Sequence, residues 1–148
     1  MDIDVRKLKY SGKDCTDFSF DYQFEEDIVL TPNAVIDGNI RVSGTLELHG
    51  DDVYVDGKVD CTIVGECARC LGNARYDYSE ELSVTFVRSN PNEEEDEYLY
   101  SSGVVNLRQA VRDLFLSTCP PVIYCNESCK GLCPICGCNL NETDCNCK

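Results

Sequence analysis

The last twenty residues of the chain, CKGLCPICGCNLNETDCNCK (129–148), constrain its folding most: six are cysteine, and only Leu132, Ile135 and Leu140 are sizeable apolar side chains. Such a segment cannot hold one shape by burying oily surface. Ordering these twenty residues costs on the order of 30 kcal/mol, at roughly 1.5 kcal/mol each. Burying three apolar side chains offsets about 2–3 kcal/mol apiece. A structural zinc ion contributes about 10–16 kcal/mol, so two such sites bring the terms close to balance. Without metal or disulfides the segment stays disordered.

The choice between metal and disulfide turns on compartment. The chain starts MDIDVRKLKYSG, which alternates charged and apolar residues and lacks the apolar centre of a signal peptide. No apolar run approaches the length of a membrane span. We therefore expect a soluble, cytoplasmic protein with no membrane partner. Reducing conditions there keep thiols free, and paired spacings point to metal.

Two C-x-x-C pairs stand out, Cys67 and Cys70 in CARC and Cys133 and Cys136 in CPICG. This spacing lets two thiolates reach one ion from a tight turn. The next residues turn their amides toward sulfur, where glycine removes the Cβ obstacle. Gly137 follows Cys136 directly, whereas Leu71 and then Gly72 follow Cys70, a looser fit. Around them lie Cys125 and Cys129, spaced C-x-x-x-C, and Cys145 and Cys147, spaced C-x-C. These eight make two complete sets of four, and we expect them to hold one or two structural Zn²⁺ ions, with disulfides, iron or a redox thiol role as alternatives. Of the remaining four of the twelve cysteines, Cys61 reads as core, Cys15 and Cys119 as free thiols, and Cys138 as a spare thiol or an alternative ligand.

The rest of the chain reads as α+β: a mainly antiparallel β meander, one amphipathic helix and the cysteine-rich zinc-binding module, in one domain over 1–148. Period-two alternation dominates residues 1–88. Phe18, Phe20, Tyr22 and Phe24 share one side, as do Ile40, Val42, Leu46 and Leu48. A short strand VYV follows, with turn residues His49, Gly50, Asp51 and Asp52 before it and an Asp56–Gly57 turn after it, before Val59, Cys61 and Ile63 alternate in the next. Tyr76, Tyr78, Leu82, Val84 and Phe86 form the last ladder. Residues 89–102, with five consecutive acids from Glu93 to Glu97, read as a mobile, solvated loop. Over 104–118, Leu107, Ala110, Val111, Leu114 and Phe115 fall at helical spacing, with Asn106 as N-cap and Pro120 and Pro121 as the stop. The tail, 119–148, is expected to pack near 67–72.

The formal charge of −14, from 27 acidic and 13 basic residues, argues against unspecific grip on phosphate backbones. Two tetrathiolate zinc sites would take it to about −18. An acidic chain suits basic partners. A catalytic zinc needs an open position and usually His or carboxylate ligands. The one histidine, His49, stands in a turn beside Asp51 and Asp52 with nothing tying it to the cysteines. No Gly-rich phosphate loop appears. We expect no enzyme and no small-molecule substrate.

With these residues in view, the chain resembles the YceD-type family, the large ribosomal RNA subunit accumulation proteins. The resemblance rests on CARCL (67–71), the acidic loop, the helix VVNLRQAVRDLFLSTCP and above all CNESCKGLCPICGCNLNETDCNC (125–147); the first sixty residues match only in pattern. It implies a non-enzymatic ribosome biogenesis factor that supports accumulation of large-subunit ribosomal RNA. Its partner would be a ribosomal protein or pre-ribosomal particle, with direct RNA contact open through Arg69 and Arg75. It also favours pairing Cys67 and Cys70 with Cys125 and Cys129, leaving Cys133, Cys136, Cys145 and Cys147 as the second site; the swapped pairing, knuckle with knuckle, is the alternative. A thiol/zinc redox switch is the competing function.

Overall fold

The computed structural model describes residues 1–24, 28–92 and 96–147. The chain order is β1 (Asp2–Asp4), α1 (Val5–Ser11), β2 (Cys15–Tyr22), β3 (Val35–Ile36), β4 (Ile40–His49), β5 (Asp52–Glu66), β6 (Asn73–Val87), β7 (Glu97–Leu99), β8 (Val104–Asn106) and α2 (Arg108–Thr118). Strands β2, β4, β5 and β6 form an antiparallel meander; β7 adds to β6 in parallel, and β3 pairs with β5. A separate two-stranded pair joins β1 to β8.

Alternation sets the two faces of the meander. Ile40, Val42 and Leu46 of β4, Val53, Val55, Val59 and Ile63 of β5, and Tyr78, Leu82 and Phe86 of β6 are buried on one side. The intervening Arg41, Glu47, Tyr54, Asp56, Asp77 and Glu81 face water. Phe18 and Phe20 of β2 extend the covered side. Ala110, Val111 and Phe115 of α2 are buried against it, and Phe115 stacks on Tyr78 with ring centroids 4.2 Å apart. The Tyr78 hydroxyl is satisfied by Thr118 at 2.6 Å. Truncating Phe115→Ala leaves a void over Tyr78 and is expected to cost about 3–5 kcal/mol of stability, read as a lowered urea midpoint at unchanged slope.

Several expectations from sequence are corrected. Among the described residues two short helices are present rather than one. In α1, Val5 and Leu8 are buried, Asp4 caps the first turn by accepting from the Arg6 N–H, and Gly12 ends it at φ 66°. α2 starts at Arg108 instead of 104, because Val104–Asn106 is committed to β8. Asn106 still serves the helix start: its Oδ1 accepts the Arg108 N–H at 2.8 Å. Asp56–Gly57 is not a turn but the middle of the 15-residue strand β5. Gly57 faces Gly44 of β4, and a Cβ on Gly44 would sit 2.2 Å from the Asp56 carbonyl oxygen. The glycine pair therefore permits a close strand approach. The other turn expected from sequence, His49 to Asp52, is present: the hairpin turns at Gly50–Asp51, between the paired His49 and Asp52, with Gly50 at φ 69°. Within 89–102, Glu97–Leu99 forms β7; the acids Glu93, Glu94 and Glu95 lie outside the described residues.

The chain leaves α2 at Cys119 and Pro120 and returns to the end of the sheet where β5 turns into β6. The Thr31 hydroxyl donates to the Pro120 carbonyl at 2.6 Å, and the Ala68 N–H donates to the Ile123 carbonyl at 2.9 Å. Ile123 is buried. Among the described residues no helix is long and apolar enough to cross a membrane.

Candidate metal centre

The turn from β5 to β6 is a sulfur knuckle. The Leu71 N–H donates to the Cys67 carbonyl at 2.9 Å, and the Cys67 N–H donates to the Gly72 carbonyl at 2.8 Å. This curls residues 67–72 so that both sulfurs point the same way. The tail brings up the other two: Cys67 Sγ lies 3.8 Å from Cys129 Sγ, and Cys70 Sγ lies 3.7 Å from Cys125 Sγ. All four sulfurs fall within 4.8 Å of one another. Cys67, Cys70 and Cys129 are buried and Cys125 is half-buried. Arg69 clamps the tail by donating to the Glu127 and Cys129 carbonyls, each at 3.2 Å. Asn141 donates its side-chain amide to Cys129 Sγ at 3.4 Å, tying the end of the tail to this centre.

The second group lies wholly within the tail. The Gly137 N–H donates to the Cys133 carbonyl at 2.9 Å and the Cys133 N–H to the Cys138 carbonyl at 2.8 Å, the pattern of the first knuckle. Cys145 Sγ is 3.6 Å from Cys136 Sγ and 3.3 Å from Cys133 Sγ, with Cys147 completing the four. Amide hydrogens point at sulfur here too: Ile135 N–H to Cys133 Sγ and Cys147 N–H to Cys145 Sγ, both at 3.4 Å. Cys133 is buried, Cys145 is half-buried, and Cys136 and Cys147 are exposed.

The spacing fits a tetrahedral ion. Four sulfurs about 2.3 Å from one zinc sit about 3.8 Å from each other, matching the 3.7 and 3.8 Å separations of the first group. The second group is slightly tighter. Every cysteine is a free thiol. Ionisation points the same way. Burial opposes the Cys67 thiolate, but the N–H groups of Cys125, Cys70 and Arg69 outweigh it and bring the thiol down to about 6. The neighbouring Cys129 sulfur, with burial, pushes Cys125 up to about 12. In the second group the Cys138 N–H and the adjoining thiols bring Cys136 down to about 6. At Cys145 the Cys147 N–H favours the thiolate, yet the sulfurs of Cys133, Cys147 and Cys136 push it up to about 12. In each group one thiol ionises readily and another resists; four thiolates this close require a cation among them.

The structure thus gathers the eight sulfurs as Cys67, Cys70, Cys125 and Cys129, and as Cys133, Cys136, Cys145 and Cys147, not knuckle with knuckle. Cys138 stands outside the second four and serves the knuckle through its backbone carbonyl. Cys61 is half-buried, and burial pushes its thiol up to about 12. Cys119 is buried and Cys15 is exposed. His49 pairs with Glu47 at 3.3 Å at the far end of the β4–β5 hairpin. Arg75 is held by Asp77 and Asp37. Sequence reasoning missed Asn141 as a donor to sulfur; its neighbourhood NLN carries no spacing signal that marks one asparagine over the other.

The family model for the large ribosomal RNA subunit accumulation protein YceD matches residues 55–148. The matched span starts in β5 and takes in both sulfur groups. Uncharacterized proteins of Mycobacterium bovis and Mycobacterium tuberculosis are each 32% identical over 115 residues, covering 74% of this chain and 54% of theirs. One from Mycobacterium leprae is 29% identical over 118 residues, covering 76% and 52%. The chain therefore spans about half the length of these relatives. No solved structure matches it. The chain belongs to the YceD family of large ribosomal RNA subunit accumulation proteins.

Proposed function

We propose that this protein is a non-enzymatic assembly factor for the large ribosomal subunit, and that two structural zinc ions fix the surface with which it binds a ribosomal protein or pre-ribosomal particle. Family membership implies a role in accumulation of large-subunit ribosomal RNA. The observation that carries the finer reading is the first sulfur group, two of whose members come from the β5–β6 turn and two from the tail. Cys67, Cys70, Cys125 and Cys129 would hold one ion, and Cys133, Cys136, Cys145 and Cys147 the other. All-cysteine coordination is closed, so the zinc supplies cross-linking and not a reactive water. The setting is the cytoplasm, where thiols stay reduced. The excess of acid, 27 against 13 basic residues, suits a basic protein partner. Affinity capture of the full chain in stringent salt is expected to recover ribosomal proteins or pre-ribosomal particles. Recovery of neither would overturn the reading.

The redox alternative attaches to the outer group, because two of its four sulfurs, Cys136 and Cys147, are exposed and within reach of a dissolved oxidant. Two thiolates and one hydrogen peroxide would give one disulfide and two hydroxide ions, releasing zinc. Zinc retention under mild peroxide would remove this alternative.

A further inference from the structure

The two knuckles have the same backbone and differ at one informative position. Leu71 and Gly137 each follow the second cysteine, and each donates its N–H to the carbonyl of the first at 2.9 Å. Both are left-handed, with φ 58° at Leu71 and 72° at Gly137. Glycine adopts that conformation freely, whereas a side chain crowds the backbone there. The second knuckle shows that the turn itself asks for glycine. Leu71 does not offset the strain by burial, since its side chain is 62% exposed. A left-handed residue with most of its apolar surface in water points outward to a use.

Its surroundings are apolar and held in place. Ala68 and Arg69 are hydrogen-bonded to Ile123 and Leu132, so the first knuckle, the 122–124 segment and the second knuckle lie side by side. These segments expose Val122 and Tyr124, each 41%, and Ile135, 65%. The Arg69 guanidinium covers the Tyr124 ring at 4.5 Å while donating to two carbonyls. The knuckle's one cation is thus committed within the chain and does not reach out for phosphate. The exposed charges on these segments include Glu66, Glu127, Glu142 and Asp144 against Lys130.

We propose that Leu71 is a partner-contact residue, and that the knuckle surface around it docks a cationic polypeptide segment that places an aliphatic or aromatic side chain against Leu71. The acid-rich rim and the formal charge of −14 favour a basic protein over RNA or a second copy of this acidic chain. This names the docking residue for the partner proposed above and rests on that reading.

The test uses the full zinc-loaded chain, as wild type, Leu71→Gly and Leu71→Ala, against two probes: the proteins stripped by salt from purified large ribosomal subunits, and the RNA that remains. Zinc content and melting temperature are measured alongside. Wild type is expected to retain a discrete basic protein. Leu71→Gly is expected to keep its zinc, melt no lower than wild type and lose at least tenfold in affinity, with Leu71→Ala also weakened. Equal binding by wild type and Leu71→Gly would overturn the role of Leu71 and leave the proposed function standing. Binding of neither probe by wild type would overturn the docking proposal, and the proposed function falls with it when capture of the full chain also recovers no pre-ribosomal particle. Leu71-dependent retention of RNA, or of a homodimer in place of a basic protein, would overturn the docking proposal.

Discussion

Chelation of zinc at neutral pH is expected to release residues 119–147 while the β2–β6 meander stays folded. The tail has few other means of holding its shape. Its buried apolar side chain is Ile123, with Leu132 packed partly against the core, and Ile135 is exposed. One isolated β-bridge, Leu132 to Asn139, is the regular pairing among its described residues. Against this, each structural zinc contributes about 10–16 kcal/mol. The meander has its own support in the buried ladder of β4, β5 and β6 and in Phe115 stacked on Tyr78. Limited proteolysis before and after chelation should show cleavage appearing beyond α2 only after chelation, reversed by added zinc. Amide exchange should show protection lost over 119–147 and kept in β4–β6. Uniform loss across the chain would mean that the metal supports the whole fold.

Single cysteine variants should separate the two centres. Cys129→Ser removes a buried sulfur that accepts from Asn141 and completes the group shared between sheet and tail. It is expected to lose one ion and on the order of 10 kcal/mol of the free energy holding the tail to the sheet, so that cleavage reaches the stretch just after α2. Cys147→Ser removes an exposed sulfur near the end of the chain. It should also lose one ion, but leave 119–130 anchored through Cys67, Cys70, Cys125 and Cys129. Zinc counting together with mapping of the first cleavage site reads both effects. Identical cleavage in the two variants would contradict the assignment of separate centres.

Much of the architecture is legible in local spacing. The alternation in β4 and β6 gives the buried face, and the C-x-x-C pairs mark both knuckles. What local spacing could not give depends on partners distant in sequence. An Asp-Gly pair serves equally in a tight turn and in a close strand approach, and at Gly57 the choice is made by Gly44 on the neighbouring strand. Helix α1 is seven residues with two buried side chains, too short for a period to emerge, although Asp4 and Gly12 mark its ends. Strand β7 follows an acidic run that reads as solvent-loving, and it takes its order from pairing with β6. The grouping of sulfurs joins residues 62 apart, Cys67 and Cys129. Spacing alone supplied the two fours but not which pair meets which. The left-handed Leu71 was visible only as a departure from glycine after C-x-x-C, and its exposure is a tertiary fact.

The ion count of freshly purified, fully reduced protein tests the account most directly. Native mass spectrometry is expected to find two zinc ions on the wild-type chain, and two on Cys138→Ser, since Cys138 acts through its carbonyl. Joint replacement of Cys67 and Cys70 should leave one. A wild-type chain that carries no metal while residues 119–147 remain protected from exchange would contradict the account.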